Sequence, residues 1–284
     1  MRRKPLVSVC LLAFAACTDG PTQQPPAEVP AIVFCRGGIV TCWLTAVNPD
    51  GTGARRLSPD PATEPAWSPD GKRVAFINWK DQNAELYVWN VDGSTRRLTR
   101  TEARREMSPA WSPDGTRIVF AGWGSGVEQH LFVIDADGSG ERQLTGDVRQ
   151  GWRPDWSPDG RTIAFQVDRQ IMLVDADGSN TRTLGSGEGP AWSPDGTRIA
   201  YSRSGLSSPD VGGLYTMAAG GGDVRRVTTG LDDSEPDWSP DGSGMVFVRS
   251  SGGRLALHGV NADGSGIRAV ASDSLRNLQP SWRP

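Results

Sequence analysis

The chain has 284 residues, a formal net charge of −3 and 22% charged side chains. Charges of both signs are balanced and no basic stripe runs through the sequence, which argues against a nucleic-acid-binding protein. The 35 glycines, 21 prolines and 11 tryptophans are typical of an all-β domain with many tight turns, and about 250 residues is an ordinary size for one closed β-domain.

Residues 1–17 have the form of a signal peptide, with three basic residues followed by an apolar stretch too short to span a bilayer. Residues Phe14 to Cys17 resemble a bacterial lipobox, in which the cysteine becomes the lipid-carrying first residue. We therefore predict lipidation at Cys17. The alternative is an ordinary secretory signal that contains an incidental cysteine. Thr18 follows instead of aspartate, which favours the outer membrane, facing the periplasm, as the final location.

Residues 18–30 form a polar, proline-rich tether. At roughly 3 Å per residue, such a segment would hold a folded domain up to about 40 Å from the bilayer. The predicted organisation is therefore a signal peptide (1–17), a tether (18–30) and a folded domain (31–284) that meets the membrane through its lipid anchor only.

Two cysteines, Cys35 and Cys42, flank a short loop between the first two predicted strands. Exported proteins mature in an oxidising compartment, so we predict that these cysteines form a disulfide. The alternative is a pair of small buried residues. A metal site is disfavoured, because only two thiols and no neighbouring histidine are available.

A five-residue phrase, Trp-Ser-Pro-Asp-Gly, recurs along the rest of the chain. It occurs five times in full and once truncated to Trp-Arg-Pro at the C-terminus, at intervals of 36 to 46 residues. Ser-Pro-Asp-Gly suits a type I turn, and a short apolar run of strand character follows each complete copy. The repeated tryptophans are Trp67, Trp111, Trp156, Trp192, Trp238 and Trp282. A period in the forties with several strands per repeat is typical of a β-propeller.

Each repeat predicts four strands, labelled A to D from the tryptophan strand outward. A second apolar run forms strand C, an Asp-Gly pair marks the hairpin turn after it, and a short strand D follows. Strands B to D of a further blade lie at 31–58, and the strand A that they lack is the C-terminal stretch around Trp282. One blade shared by both termini closes the ring without open sheet edges. The sequence thus predicts an all-β, six-bladed β-propeller of four-stranded blades.

The repeat resembles that of the TolB-type propellers, also called the WD40-like or PD40 repeat. The shared pattern is Pro-x-Trp-Ser-Pro-Asp-Gly, an Ile-Ala-Phe strand, an Asp-x-Asp-Gly turn and Arg-x-Leu-Thr, and it covers about residues 31–284. The resemblance, together with the lipobox, implies an envelope lipoprotein. TolB carries a further N-terminal domain, which we expect to be absent here, so a Tol–Pal role is not implied. The fold serves scaffolds, binding proteins and enzymes alike.

Sequence motifs for catalysis or cofactor binding do not occur: there is no nucleophile elbow, P-loop or His-Glu-x-x-His. The Asp-x-Asp-Gly turns lack the glutamate that ends an EF-hand loop, so we interpret them as structural. His258 occupies an aromatic position of strand C and is predicted to pack. His130 is placed before its strand C, where a surface role is favoured over a ligand role. We predict no metal and no cofactor.

The connections between strands divide into two classes. The A–B and C–D turns are nearly invariant, and strand alternation places them at one end of the ring, here called the turn end. The D–A and B–C loops differ in every blade and lie at the other end, here called the loop end. Variable loops are free to recognise a partner, and Trp and Arg are frequent anchors. The candidate binding residues are Trp79, Arg105, Trp123, His130, Trp152, Arg153 and Glu235. The alternative is that the loop aromatics cover their own blades.

The predicted function is that of a monomeric, non-catalytic binding or scaffold module of the bacterial cell envelope. Its partner would be an envelope protein or peptidoglycan-associated material held at the loop end. The alternative is a polysaccharide hydrolase or lyase that uses the rim carboxylates Glu64, Glu102, Glu106 and Glu235. Two carboxylates about 5–10 Å apart around a cleft would favour the enzyme, and an aromatic-lined mouth would favour binding.

Overall fold

Six four-stranded antiparallel sheets, built from 24 strands, account for the described part of the chain. The computed structural model describes residues 31–38, 42–80, 83–124, 127–146, 150–204, 211–272 and 276–284. The predicted signal peptide, the tether and Cys17 lie outside these residues. Among the described residues, there is no helix with the length and apolar character needed to cross a membrane.

Five blades are continuous in sequence. Blade I consists of β4 (Thr63–Trp67), β5 (Arg73–Asn78), β6 (Glu85–Asn90) and β7 (Thr95–Arg97). Blade II consists of β8 (Arg105–Trp111), β9 (Arg117–Gly124), β10 (Val127–Asp135) and β11 (Arg142–Gln143). Blade III consists of β12 (Gly151–Trp156), β13 (Thr162–Val167), β14 (Gln170–Asp175) and β15 (Arg182–Ser186). Blade IV consists of β16 (Glu188–Trp192), β17 (Arg198–Arg203), β18 (Gly213–Ala218) and β19 (Arg225–Arg226). Blade V consists of β20 (Asp233–Trp238), β21 (Gly244–Ser251), β22 (Arg254–Asn261) and β23 (Arg268–Ala271).

The sixth sheet, here called the closing blade, joins the two ends of the described chain. It consists of β24 (Arg276–Trp282), β1 (Ile32–Gly37), β2 (Cys42–Val47) and β3 (Arg55–Pro61). Strand β24 pairs antiparallel with β1, and Trp282 lies opposite Ile32. The predicted six-bladed propeller, with one blade shared between both ends, is confirmed. Cys35 and Cys42 of this blade form a disulfide, with Cα atoms 5.5 Å apart.

The hydrophobic core is divided among the interfaces between neighbouring blades. Trp67, for example, packs against Val33 and Leu44 of the closing blade as well as Val74 of its own blade. Four of the six repeated tryptophans are buried, and Trp192 and Trp282 are half-buried. Burying a large apolar side chain contributes about 1.5–3 kcal/mol, so each repeat carries its own share of the ring's stability.

The serine of each Ser-Pro-Asp-Gly turn closes the A–B hairpin. The Ser112 hydroxyl donates to Asp114 Oδ1 (2.6 Å), and its oxygen accepts the N–H of Arg117 (2.9 Å). The same two bonds recur in the other four complete copies. The serine hydroxyl and the backbone N–H of Thr116 hold the pKa of Asp114 below its usual value. These carboxylates are thus saturated by their own turns.

Ring pairs between strands B and C fill the outer layer of four blades. Phe76 faces Tyr87 with ring centroids 5.7 Å apart, and Phe247 faces His258 at 5.8 Å. His258 is therefore a packing residue, as predicted. Burial lowers the pKa of its imidazole, which favours the neutral ring.

Candidate binding site at the loop end

A register shift interrupts the pairing of the innermost strand in every blade. The residue three positions before each repeated tryptophan has a positive φ, between 48° and 59°. A β-bulge of this kind changes the direction in which one side chain points. Because equivalent residues of all six inner strands line one cavity, that cavity is the central channel of the ring. Its six bulge residues, here called the channel ring, are Glu64, Ser108, Arg153, Gly189, Glu235 and Gln279.

Five of the six channel-ring residues are not glycine. A left-handed backbone costs a residue with a Cβ about 1–2 kcal/mol. At the turn end, the fourth residue after the tryptophan of each complete copy avoids that cost by being glycine, as at Gly71 and Gly115. Backbone strain that persists around a cavity points to a use for the side chains. The residue types at these five positions are therefore not the type that adopts this backbone at the lowest cost.

Hydrogen bonds connect the channel ring across five blades. Glu64 accepts from the backbone N–H of Ser108 at Oε2 (2.7 Å) and from Gln279 Nε2 at Oε1 (3.2 Å). Glu235 accepts from the backbone N–H of Gln279 at Oε2 (2.8 Å) and from the Arg153 guanidinium at Oε1 (2.6 Å). Gln279 therefore ties the closing blade to both of its neighbours.

The Arg153 side chain extends from blade III past Gly189 of blade IV and contacts Glu235 of blade V. A Cβ at Gly189 would lie 3.2 Å from Arg153 Nη1, so glycine leaves the room that the guanidinium occupies. The Arg153–Glu235 pair uses few of the five N–H donors of the guanidinium. The remaining donors are held at the channel, where an acceptor from outside can meet them.

A second layer of polar residues lies one position before the tryptophan. Asp155 Oδ2 accepts the backbone N–H of Trp192 (2.7 Å), and Asp237 Oδ2 accepts that of Trp282 (2.6 Å). Burial raises the pKa of both aspartates to about 7, and burial likewise raises the pKa of Glu64 to about 6. The channel wall therefore changes its charge close to neutral pH.

The outer part of the loop end carries two exposed tryptophans and an arginine between them. Trp79 directly follows β5 of blade I, and Arg105 and Trp123 lie on paired positions of β8 and β9 in blade II. The Arg105 guanidinium lies 5.8 Å from the Trp79 ring centroid and 5.5 Å from that of Trp123. The Trp123 indole N–H points to Met107 Sδ (3.1 Å). We call Trp79, Arg105 and Trp123 the Trp–Arg–Trp patch.

All seven candidate binding residues were expected in or beside variable loops, but only Trp79 lies outside a strand. The strands carry Arg105, Trp123, His130, Trp152, Arg153 and Glu235. His130 is 7% exposed, so the predicted surface role is wrong: β10 begins at Val127, and His130 lies inside it opposite Gly122. Trp152 is half-buried within the inner strand β12 instead of in a loop. Trp123 also lies on a strand, but it remains exposed.

The four carboxylates of the alternative enzyme do not form one site. Glu64 and Glu235 lie in the channel with Gln279 between them. Glu106 is fully buried, bonded to Thr101 and Arg104, and burial raises its pKa to about 7. Glu102 is exposed on the preceding loop. Among the described residues, there is also no group of three or more His, Cys, Asp or Glu that is arranged to hold a metal ion.

The channel ring was not identified from the sequence, although a repeated proline marks the position of its residues. A proline stands two positions before every repeated tryptophan, and the residue before that proline changes from blade to blade. This variable residue directly before a fixed proline is the channel-ring position. Arg153 and Glu235 were singled out, but Ser108, Gly189 and Gln279 were not.

Known proteins share both the repeat and the ring. A sequence profile of the TolB beta propeller domain matches residues 41–189 and 180–284. The "Tol-Pal system protein TolB" of Thioalkalivibrio sulfidiphilus is 37% identical over 62 residues, which are 21% of this chain and 14% of that protein. The chain thus matches only a small part of this relative's length.

Solved structures extend the likeness to the whole ring. The crystal structure of TolB from Acinetobacter baumannii matches with a TM-score of 0.79 at 24% identity, over 90% of this chain and 67% of the other. A chain of a nidogen/laminin complex matches with a TM-score of 0.72 at 12% identity, over 89% and 98%. At these identities the likeness establishes the fold alone.

Proposed function

The chain belongs to the TolB β-propeller domain family, and from this premise we propose that it is a non-catalytic binding module of the bacterial cell envelope. The partner is an envelope protein or peptidoglycan-associated material held at the loop end. Support comes from relatives named as proteins of the Tol-Pal system. Since the aligned part is 14% of that relative, the identity of its partner does not carry over to this chain.

The observation that supports the loop end most strongly is the channel ring. Five side chains of four kinds are held at positive φ, where glycine would fold more easily. Their hydrogen bonds fix acidic and basic groups at the channel in one arrangement. Preorganised polar groups lose little entropy when a partner binds, which raises affinity.

The same hydrogen bonds disfavour the hydrolase or lyase. A glycosidase needs one carboxyl group free to protonate the leaving group and a second free to attack or to activate water. Glu64 and Glu235 each accept two hydrogen bonds from their neighbours, and Glu106 is fully buried. We therefore favour recognition over catalysis.

The test is affinity capture from chemically crosslinked cell envelopes with matched charge-neutral double variants. Arg153→Gln with Glu235→Gln removes the loop-end ion pair of 2.6 Å. Arg225→Gln with Asp223→Asn removes a turn-end ion pair of 2.8 Å and is the control. We expect the first variant to lose captured partner and the second to retain it, both remaining folded by thermal unfolding. Equal capture by both variants, or no partner captured by the wild-type protein, would overturn the proposal.

We further propose that the module is anchored by a lipid at Cys17 and faces the periplasm from the outer membrane. Support comes from the Ala-Ala-Cys sequence and the proline-rich segment after it. Cys17→Ser should move the protein from the membrane fraction to the soluble periplasmic fraction. A variant that stays with the membrane after high-salt washing would contradict the anchor.

A further inference from the structure

Exposed aromatic rings are concentrated at one place on the described surface. Trp79 is 41% exposed and Trp123 is 38% exposed, and each other described Phe, Tyr or Trp is buried or half-buried. Both rings lie at the loop end, where blades I and II meet. Large exposed aromatic surface beside a charged group is typical of interaction sites.

Arg105 lacks the carboxylate partner that Arg104 and Arg249 have near the loop end. Arg104 holds Glu106 (3.0 Å) and Glu141 (2.8 Å), and Arg249 holds Asp233 (2.7 Å). Among the described residues, Arg105 has neither an ion pair nor a hydrogen bond, although its side chain is exposed. Its positive charge is therefore uncompensated within the described protein.

The indole rings of Trp79 and Trp123 lie close to the guanidinium of Arg105 and leave its N–H groups for a ligand. The guanidinium lies within cation–π distance of both rings, which favours this position of the side chain while its N–H groups remain available. A carboxylate is the planar anion that matches the N–H fork of arginine.

We propose that the Trp–Arg–Trp patch binds a carboxylate of a partner protein, from an Asp or Glu side chain or a C-terminus, with a neighbouring apolar residue lying on an indole. This inference rests on the proposed function and adds the chemistry of the contact. Arg105 begins the inner strand that carries Ser108 of the channel ring. The docked segment therefore lies beside the channel mouth.

The test is selection of a displayed random heptapeptide library on the purified wild-type protein, followed by calorimetric titration of one selected peptide. We expect enrichment of Asp or Glu next to an apolar residue. The acidic peptide should bind at least about tenfold more tightly than its Asn or Gln counterpart, which corresponds to about one good charged contact. Arg105→Gln should abolish that preference, and Arg105→Lys should weaken it because lysine keeps the charge but not the planar fork.

Arg225→Gln is the matched control, since Arg225 is 65% exposed in its side chain and lies at the turn end. It should leave the acidic preference unchanged, and Trp79→Ala with Trp123→Ala should weaken both forms of the peptide. Absence of acidic enrichment, or a preference that survives Arg105→Gln, would overturn the inference. So would binding of chitotriose that needs the tryptophans but not Arg105. Envelope capture that needs Arg153 and Glu235 but not Arg105 would overturn this inference while leaving the proposed function standing.

Discussion

The two ends of the ring are built by the same six repeats and use their polar residues in opposite ways. At the turn end, Asp114 is bonded to Ser112 and to the backbone of its own turn, and the other complete repeats do the same. At the loop end, the bulge residues are of five types in six blades and bond between blades, as Arg153 does with Glu235. The turn end thus repeats the same local hydrogen bonds in each complete copy, whereas the loop end carries different side chains on the same backbone conformation.

The two ends also differ in the residue types that occupy their positive-φ positions. Glycine takes the positive-φ position in each complete Ser-Pro-Asp-Gly turn, whereas only Gly189 does so in the channel ring. The backbone requirement is the same in both places. Variation against that requirement supports the proposal that the loop end recognises a partner.

The largest expected effect separates a repeated tryptophan from a loop-end tryptophan. Trp111 is buried, its indole N–H donates to the Ala66 carbonyl (3.2 Å), and Arg73 stacks on its ring at 4.4 Å. Trp111→Ala should lower the free energy of unfolding by about 3–5 kcal/mol. Trp123→Ala should cost less, about 1 kcal/mol, because Trp123 is 38% exposed whereas Trp111 is 7% exposed. Urea denaturation measures both, and equal losses would mean that Trp123 is structural.

A smaller effect compares two serines four positions apart in one blade. Ser112→Ala removes the acceptor of the Arg117 N–H and the donor to Asp114 inside a buried turn, so it should cost about 1–3 kcal/mol. Ser108→Ala keeps the backbone N–H that donates to Glu64 and should cost at most about 0.5 kcal/mol. If Ser108→Ala proved the costlier change, the contrast between the two ends would be lost.

The strand order and the ring closure were predictable because they follow from a periodic pattern. The truncated copy at Trp282 supplies the strand that β1–β3 lack. The channel ring was not predicted as a unit. The proline two positions before each repeated tryptophan marks its place, but nothing in the sequence predicts a bulge with a non-glycine residue at positive φ there. The Trp–Arg–Trp patch joins blades I and II, and no local rule brings Trp79 to Arg105. His130 was misplaced because strand β10 begins earlier than the hydrophobic pattern shows.

A pH titration of stability sharpens the comparison, because carboxylates at the two ends shift in opposite directions. Asp155 and Asp237 have pKa values raised to about 7 from 3.8. Between about pH 4 and 7 the folded protein therefore binds more protons than the unfolded chain, and its stability falls as the pH rises. At the turn end the Ser239 hydroxyl and backbone hydrogen bonds lower the pKa of Asp241 to about 2, so its contribution is present above pH 4 and is lost as the pH falls towards 2.

The check is urea denaturation from pH 2.5 to 8. Asp155→Asn with Asp237→Asn keeps oxygen acceptors for the Trp192 and Trp282 N–H groups and should reduce the slope between pH 4 and 7. The raised pKa values of Glu64 and Glu106 account for the slope that remains. Asp241→Asn should leave that slope unchanged and alter only the dependence of stability on pH below about pH 4. A double variant with the wild-type slope would show that the channel carboxylates titrate normally.

The smallest expected effect concerns strain at the channel ring itself. Ser108 has φ 51°, and its hydroxyl takes part in no hydrogen bond among the described residues. Ser108→Gly should therefore be more stable than Ser108→Ala by about 1 kcal/mol, since only glycine adopts this backbone without cost. Thermal unfolding of the two variants resolves the difference. An alanine variant as stable as the glycine variant would remove strain as a reason to assign function to this ring.

Site-specific photo-crosslinking in living cells tests the division of labour between the two ends most directly. A photoreactive amino acid is placed at four positions of similar exposure: Trp123 (38%) and Leu231 (45%) at the loop end, and Val91 (40%) and Ile267 (42%) at the turn end. We expect a discrete protein adduct from the loop-end positions and none from the turn-end positions. Adducts from Val91 or Ile267 with none from Trp123 or Leu231 would place recognition at the turn end and contradict the account.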